Sequence, residues 1–169
     1  MSGFPSLQPA FTVQVEIDAP LAVGSASRNT PLNVVPMTGI TVKSEPGFSP
    51  ALDATHMGVG YDYIHNDPSG EQMRLDVRSQ LKTKEGALLA MYYKGPVDIT
   101  PALMKILGGA PDAESTPFGN SFVTFSFETG APEYKPLENM MFVAAGRFLV
   151  QQGKPVIVEY KVSRVLKGA

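Results

Sequence analysis

The residues best suited to acid–base chemistry lie in the segment 73–83, where apolar and charged side chains alternate. In an extended strand, successive side chains point to opposite faces. One face of this segment would carry Leu75 and Val77, and the other would carry Arg74, Asp76 and Arg78. Between two guanidinium groups, Asp76 would stay ionised and could act as a general base, while Arg78 could bind the oxygen of a carboxylate, phenolate or enolate. A solvated outer face held by ion pairs explains the same pattern equally well.

A second group, Thr55–His65, contains both histidines of the chain, one aspartate and two tyrosines. His56, Asp62 and His65 have the composition of a two-histidine, one-carboxylate iron site. On an uninterrupted strand, however, His65 points away from the face that His56 and Asp62 share, and only a bulge at a nearby glycine would bring the three together. We therefore expect no metal. Without one, His56 beside Asp62 could act as a general base, or it could be a purely structural histidine.

Aromatic residues on later segments could contact a bound molecule. Tyr92 and Tyr93 lie on opposite faces of one strand, so one of them points inward whichever face lines the interior. Phe125 and Phe127 share a face, a spacing more typical of a core than of a ligand shelf, and Glu128 lies on the other face. Ser121 does not fit the pattern of a nucleophilic serine, so covalent hydrolysis is not expected.

The elements that must position these residues are predicted to be short β-strands, separated by glycines and prolines. Eight segments have strand-like patterns: 11–17, 32–43, 56–65, 73–83, 87–97, 121–129, 140–151 and 156–165. Thr83–Gly86 and Gln152–Pro155 are typical of hairpin turns, which implies antiparallel pairing. Thr100–Gly108 predicts one short helix, with Thr100 as its N-cap. We expect an all-β protein with this one helix, a single antiparallel barrel domain of about eight strands over residues 1–169; a β-sandwich is the alternative.

Composition excludes several classes of function. Fourteen Lys and Arg against sixteen Asp and Glu give a net charge of −2, and the absence of a basic block argues against nucleic acid as a partner. The absence of cysteine excludes thiol catalysis, disulfides and thiolate metal sites. Charged residues make up 18%, below the usual ~25%, which favours a ligand cavity or a subunit interface. No apolar run approaches the ~18 residues of a membrane span, so we expect a cytoplasmic protein with no membrane partner.

Taken in order, several of these segments resemble the family known as domain of unknown function 3237. The resemblance rests on Leu75–Arg78, Thr83–Leu88 and Phe127–Thr129, and it spans roughly His56 to Leu166. Gly60, Asp62 and Tyr63 match a further part of the family pattern, and a Leu-Asn pair corresponds to Leu137 and Glu138, with Asn139 next to them. Other matching positions are Tyr134, Phe142, Val143, Gly146 and Tyr160 to Val162.

The resemblance implies a small antiparallel barrel similar to allene oxide cyclase, dirigent and lipocalin-like barrels. It also implies that Asp62, Asp76, Arg78 and Glu128 belong to a pocket, and it favours an inward direction for Asp76 and Arg78. Fungal relatives are associated with the making of aromatic or polyketide natural products.

The favoured function is a cofactor-independent cyclase or isomerase that acts on an apolar, oxygenated small molecule. Asp76 or His56 would remove a proton, and Arg78 with Tyr61 or Tyr93 would stabilise the enolate or phenolate that forms. The residues expected to contact the substrate are Tyr61, Tyr63, Tyr93, Phe127, Glu128, Glu138 and Asn139. The alternatives are a non-catalytic barrel that carries an apolar metabolite and a structural subunit with a filled interior. In each case a dimer or trimer is expected.

Overall fold

Ten β-strands, one α-helix and one 3₁₀ helix make up residues 3–168, the part of the chain that the structure, a computed structural model, describes. The strands are β1 (Ser6–Ile17), β2 (Leu21–Ala22), β3 (Leu32–Ser44), β4 (Asp53–His56), β5 (Gly60–Asn66), β6 (Gln72–Thr83), β7 (Leu88–Asp98), β8 (Phe122–Thr129), β9 (Phe142–Leu149) and β10 (Val156–Leu166). The helices are α1 (Pro101–Leu107) between β7 and β8, and the 3₁₀ helix (Lys135–Asn139) between β8 and β9.

The strands close into an antiparallel barrel. β1 pairs with β10 on one side and with β3 on the other, and from β10 the sheet continues through β9, β8, β7 and β6. β4 and β5 occupy successive parts of one position between β3 and β6, so eight strand positions surround the interior. The prediction of an eight-stranded antiparallel barrel is confirmed. Both predicted hairpins are present, and Gly86 in the first has the positive φ that its turn requires (95°).

Aromatic side chains fill one half of the interior. Phe11 of β1 packs against Phe127 and Phe142, with ring centroids 5.6 and 5.2 Å apart, and Phe48 and Phe125 complete the cluster. All five are buried. The pairs are mostly edge to face, the arrangement that aromatic quadrupoles favour. This half therefore has the packing of an ordinary core.

Helix α1 covers the other end of the barrel. Its N-cap is Thr100, whose hydroxyl accepts a hydrogen bond from the backbone N–H of Leu103 at 3.2 Å, as the sequence predicts. Leu103 and Ile106 are buried against the barrel, whereas Met104 and Leu107 are partly exposed at its opening. The helix therefore brings apolar side chains to the mouth of the barrel.

The polar face of β6 lies outside the barrel, which corrects the prediction that Asp76 and Arg78 face inward. The buried residues of this strand are Met73, Leu75, Val77, Ser79, Leu81 and Thr83. The opposite arrangement would bury three cations and one carboxylate while exposing four apolar side chains. Both changes cost free energy, because buried charges lose their hydration and apolar surface would face water. The barrel therefore closes with the apolar face inward.

Candidate active site

A cavity of about 200 Å³ lies inside the barrel, in the half that helix α1 covers. Most of its wall is apolar: Ile17, Val35, Met37, Ile64, Met73, Leu75, Ile99, Met104, Leu107, Phe148 and Val158. The polar groups are few. Asp62, Tyr93 and Tyr160 lie deep in the cavity. Asn33, Asn66 and the exposed carboxylate of Asp18 lie nearer the mouth, close to the end of β1. A mostly apolar cavity with a few convergent polar groups is typical of a small-molecule site.

Asp62 points from β5 into this cavity and is only 7% exposed. Its Oδ1 accepts a hydrogen bond from the backbone N–H of Asp76 at 3.0 Å. This N–H is available because regular pairing between β5 and β6 is interrupted between the pairs Asp62–Val77 and His65–Arg74. Burial raises the pKa of the carboxyl from its usual 3.8 to about 7; the Asp76 N–H opposes the shift, and the nearby charge of Asp76 adds to it. Asp62 can therefore gain or lose a proton near neutral pH.

The phenols of Tyr93 and Tyr160 accompany Asp62. Their ring centroids are 5.1 Å apart, and both side chains are buried. Burial raises the pKa of each phenol, and the charge of Asp62 contributes to both shifts, which places the three groups in one electrostatic neighbourhood. At neutral pH both phenols keep their protons and can donate hydrogen bonds.

Gly146 of β9 makes room for the Tyr160 ring. A Cβ atom at this position would lie 2.6 Å from Cε1 of Tyr160, closer than real contacts of this kind. The Ser121 hydroxyl is also close, 3.0 Å from the same Cβ position. The absence of a side chain at Gly146 therefore lets the Tyr160 ring pack close to the β9 backbone, beside the Tyr93 ring.

Together these groups can do acid–base chemistry. A carboxylate with a pKa near 7 can take a proton from a weak acid and return it at neutral pH. Protonated phenols in a mostly apolar cavity can stabilise an oxygen atom that gains negative charge. Neither step uses a nucleophile of the protein.

The polar candidates of β6 and β8 lie outside this site. Asp76 Oδ2 forms an ion pair with Lys94 Nζ at 2.9 Å, and the Arg78 guanidinium lies 5.9 Å from the ring centroid of Tyr92. Glu128 accepts a hydrogen bond from the Tyr92 hydroxyl at 2.8 Å. These contacts are exposed, so this part of the wall matches the solvated face that the sequence left as an alternative.

The histidines and the tyrosines of β5 also lie away from the cavity wall. His56 points inward and its Nε2 is buried near Gly60, without a hydrogen-bond partner among residues 3–168. His65 lies on the outer surface, where its Nε2 is 3.2 Å from Arg28. Tyr61 and Tyr63 point outward and are 37% and 46% exposed. The structure does not bring His56, Asp62 and His65 together.

The remaining residues that were predicted to contact the substrate do not line the cavity. Phe127 belongs to the filled aromatic core. Glu138 accepts a hydrogen bond from the Thr129 backbone N–H at 2.7 Å, and Asn139 is exposed at the end of the 3₁₀ helix. Of the residues predicted from the sequence, Asp62 and Tyr93 line the cavity.

Sequence reasoning missed Tyr160, Asn33 and Asn66 as cavity residues. The signal for Tyr160 was present, because it alternates with Val158 and Val162 on the inward face of β10. The alternation of apolar and polar residues does not single out the two asparagines. Only the pairing of β3 with β5 shows that they are diagonal neighbours.

Comparison with known proteins identifies the fold and no activity. The family model described as "Protein of unknown function (DUF3237)" matches residues 5–165. A β-barrel like protein from Acinetobacter baumannii AYE is similar with 23% identity and a TM-score of 0.71, over 96% of each chain. A conserved protein of unknown function from Rhodopseudomonas palustris has 21% identity and a TM-score of 0.73, over 96% of this chain and 99% of its own.

A third solved structure, described as an enzyme from Penicillium herquei, shares 16% identity with a TM-score of 0.62, over 95% of this chain and 94% of its own. At these identities the likeness establishes the fold alone. No curated protein matches the chain. Within residues 3–168, neither helix has the length or the apolar character needed to cross a membrane.

Proposed function

Because the chain belongs to the DUF3237 family of proteins of unknown function, its activity has to be inferred from the cavity, and we propose that it is a cofactor-independent cyclase or isomerase. It removes a proton from the carbon next to a carbonyl group of a small, mainly apolar molecule. One observation carries this proposal: a buried carboxyl group with a pKa of about 7 shares an apolar cavity with two protonated phenols. The role first expected for Asp76 thus passes to Asp62.

In the proposed mechanism, ionised Asp62 takes a proton from the carbon next to the carbonyl. The C–H electron pair moves into the carbonyl group and forms an enolate, whose oxygen accepts a hydrogen bond from Tyr93 or Tyr160. The protonated Asp62 then returns the proton to another carbon of the enolate when a neighbouring C=C bond extends its conjugation, which completes an isomerisation. In a cyclisation, the enolate carbon attacks a second carbonyl carbon of the same molecule, the π electrons of that C=O bond move to its oxygen, and the oxygen takes the proton from Asp62. General acid–base assistance of this kind is typically worth 10²–10⁴ in rate.

The size of the cavity limits the substrate. Pockets for drug-sized ligands occupy about 300–1,000 Å³, whereas this cavity measures about 200 Å³. A dry cavity of about 150 Å³ is known to hold benzene. The cavity therefore suits a molecule of one ring with substituents, or of similar volume.

A non-catalytic carrier of an apolar metabolite is the second candidate. The predominantly apolar wall favours it, since binding alone needs only a few orienting polar groups. A carrier, however, has no use for a buried carboxyl group that costs free energy when it ionises. That a barrel of the same fold in Penicillium herquei is described as an enzyme supports the catalytic candidate.

Deuterium exchange separates the two candidates. The probe is 4-phenyl-2-butanone, a one-ring ketone with exchangeable hydrogens on both sides of the carbonyl, followed by proton NMR in D₂O. We expect the wild type to accelerate exchange and Asp62→Asn to reduce the rate to the uncatalysed background. Asp53→Asn, which changes an exposed carboxylate paired with Lys84 on the outer wall, serves as the matched control and keeps the wild-type rate. Background exchange in the wild type, or equal exchange in Asp62→Asn, contradicts the proposal.

A further inference from the structure

We propose that Asn33 and Asn66 form a second polar anchor at the mouth of the cavity, selecting substrates that carry a hydroxyl or carbonyl oxygen at the end remote from the reacting ketone. The inference deepens the proposed function and relies on it only to identify which end of the molecule reacts. The substrate class that follows is an elongated molecule with an apolar body and one oxygen function at each end.

The barrel places these two asparagines next to each other. β3 and β5 are paired with Asn33 opposite Ile64, so Asn66, two residues further along β5, is its diagonal neighbour on the same face. Diagonal neighbours of this kind lie about 7–8 Å apart, near enough for two side chains to reach one ligand atom. Both residues line the cavity and both are half-buried.

The two amides have unused hydrogen-bonding capacity. Neither side chain has a hydrogen-bond partner among residues 3–168, whereas Gln14 and Gln72 on the outer wall bond to Glu159 and Asp98. An asparagine amide offers two donors and one acceptor oxygen. Asp18 also lines the mouth, where its Oδ1 accepts a hydrogen bond from the Ala19 backbone N–H. The two amides can satisfy either a hydroxyl or a carbonyl oxygen of a bound molecule, whereas a carboxylate can only accept.

Their distance from Asp62 sets the length of the molecule. Asp62 and Asn66 lie on the same strand, four residues apart, and point to the same side. At about 3.3 Å per residue, their Cα atoms are ~13 Å apart. The wall between them is apolar, formed by Ile64, Met73 and Leu75. A molecule that reaches both ends therefore needs an apolar middle.

A pair of matched ketones tests the anchor. 4-(4-Hydroxyphenyl)-2-butanone carries a phenol remote from its ketone, and 4-phenyl-2-butanone lacks only that hydroxyl. With titration calorimetry at pH 6, we expect the wild type to bind the hydroxylated ketone about tenfold more tightly, the upper part of the range for one net hydrogen bond. In Asn33→Ala/Asn66→Ala the preference should fall to within about twofold. Asn139→Ala, an exposed asparagine remote from the cavity, should keep it.

Each outcome has a definite meaning for the anchor. Equal binding of the two ketones by the wild type overturns it, as does failure of both to bind, or a preference that survives in the double variant. The two single variants provide the same comparison if the double variant folds poorly. Titration and deuterium exchange on the same wild-type protein keep the two proposals distinct. A preference for the hydroxylated ketone without accelerated exchange refutes the catalytic role and leaves the anchor standing.

Discussion

Replacing Asp62 by asparagine should stabilise the protein, and the gain should grow as the pH rises. The pKa of the Asp62 carboxyl is about 7 in the folded protein, against 3.8 for an ordinary aspartate. Between these values the folded state holds a proton that the unfolded state has lost, so this carboxyl makes the free energy of unfolding fall as the pH rises. Its favourable contribution is fully present below pH 3.8 and is lost as the pH rises through 7.

The size of the effect follows from the two pKa values. They differ by about 3, and each unit of pKa difference corresponds to about 1.36 kcal/mol. The ionised carboxylate therefore costs up to about 4 kcal/mol of stability above pH 8. Asparagine has nearly the same shape and keeps an oxygen that can accept the hydrogen bond from the Asp76 N–H. It carries no charge at any pH in the range. The stability difference between variant and wild type should therefore rise by about 4 kcal/mol between pH 4 and 8.

The assay is urea unfolding followed by far-ultraviolet circular dichroism at pH 4, 5, 6, 7 and 8, since the chain has no tryptophan. Subtracting wild type from variant at each pH cancels the titration of every group that does not interact with Asp62. Asp53→Asn is the matched control, because its carboxylate is exposed and its variant should differ from wild type by less than about 1 kcal/mol at all pH values. A difference between Asp62→Asn and wild type that stays flat with pH would refute the assignment of Asp62 as a carboxyl group with a raised pKa.

Three further expectations follow from the same geometry. The rate of ketone exchange by the wild type should increase with pH around a midpoint of about 7, because only ionised Asp62 accepts a proton; a flat pH–rate profile from 5 to 9 would exclude it as the base. Gly146→Ala should cost about 1–3 kcal/mol in urea unfolding and weaken ketone binding, because the added Cβ displaces Tyr160; unchanged binding would show that the Tyr160 position does not matter. Thr100→Ala should cost about 1 kcal/mol through loss of the α1 cap, measured by urea unfolding, whereas Thr100→Ser should restore most of it.

Local patterns in the sequence predicted the fold well. Seven of the eight predicted strand segments, both hairpin turns and the helix with its Thr100 cap are present, each encoded by a few neighbouring residues. The remaining segment, 56–65, is divided between the end of β4 and β5. Closure into a barrel followed from their number and from the antiparallel hairpins. These features depend on backbone conformation and alternation, which short stretches of sequence largely determine.

The direction of β6 shows where such reasoning failed. Alternation separated Leu75 and Val77 from Asp76 and Arg78 correctly, but it does not state which set faces the interior. Family resemblance favoured the charged set, whereas the free energy of burial favours the apolar set. Where a strand has one charged and one apolar face, the burial argument should have taken precedence.

The site itself depends on packing between distant segments. Alternation placed Asp62 on the same face as His56 without saying that this face points inward, and Tyr93 was one of two candidates on its strand. The cavity that joins Asp62, Tyr93 and Tyr160 requires the closed barrel, the gap in pairing between β5 and β6, and Gly146 beneath the Tyr160 ring. None of these is a local property of the sequence.

The most direct test of the central claim is a crystal structure of the protein with 4-phenyl-2-butanone bound. The account predicts the ketone inside the barrel, with its oxygen within hydrogen-bond distance of Tyr93 or Tyr160 and an adjacent carbon about 3–3.5 Å from the Asp62 carboxylate. A ketone bound only on the outer wall, beside Asp76 and Arg78, would contradict it.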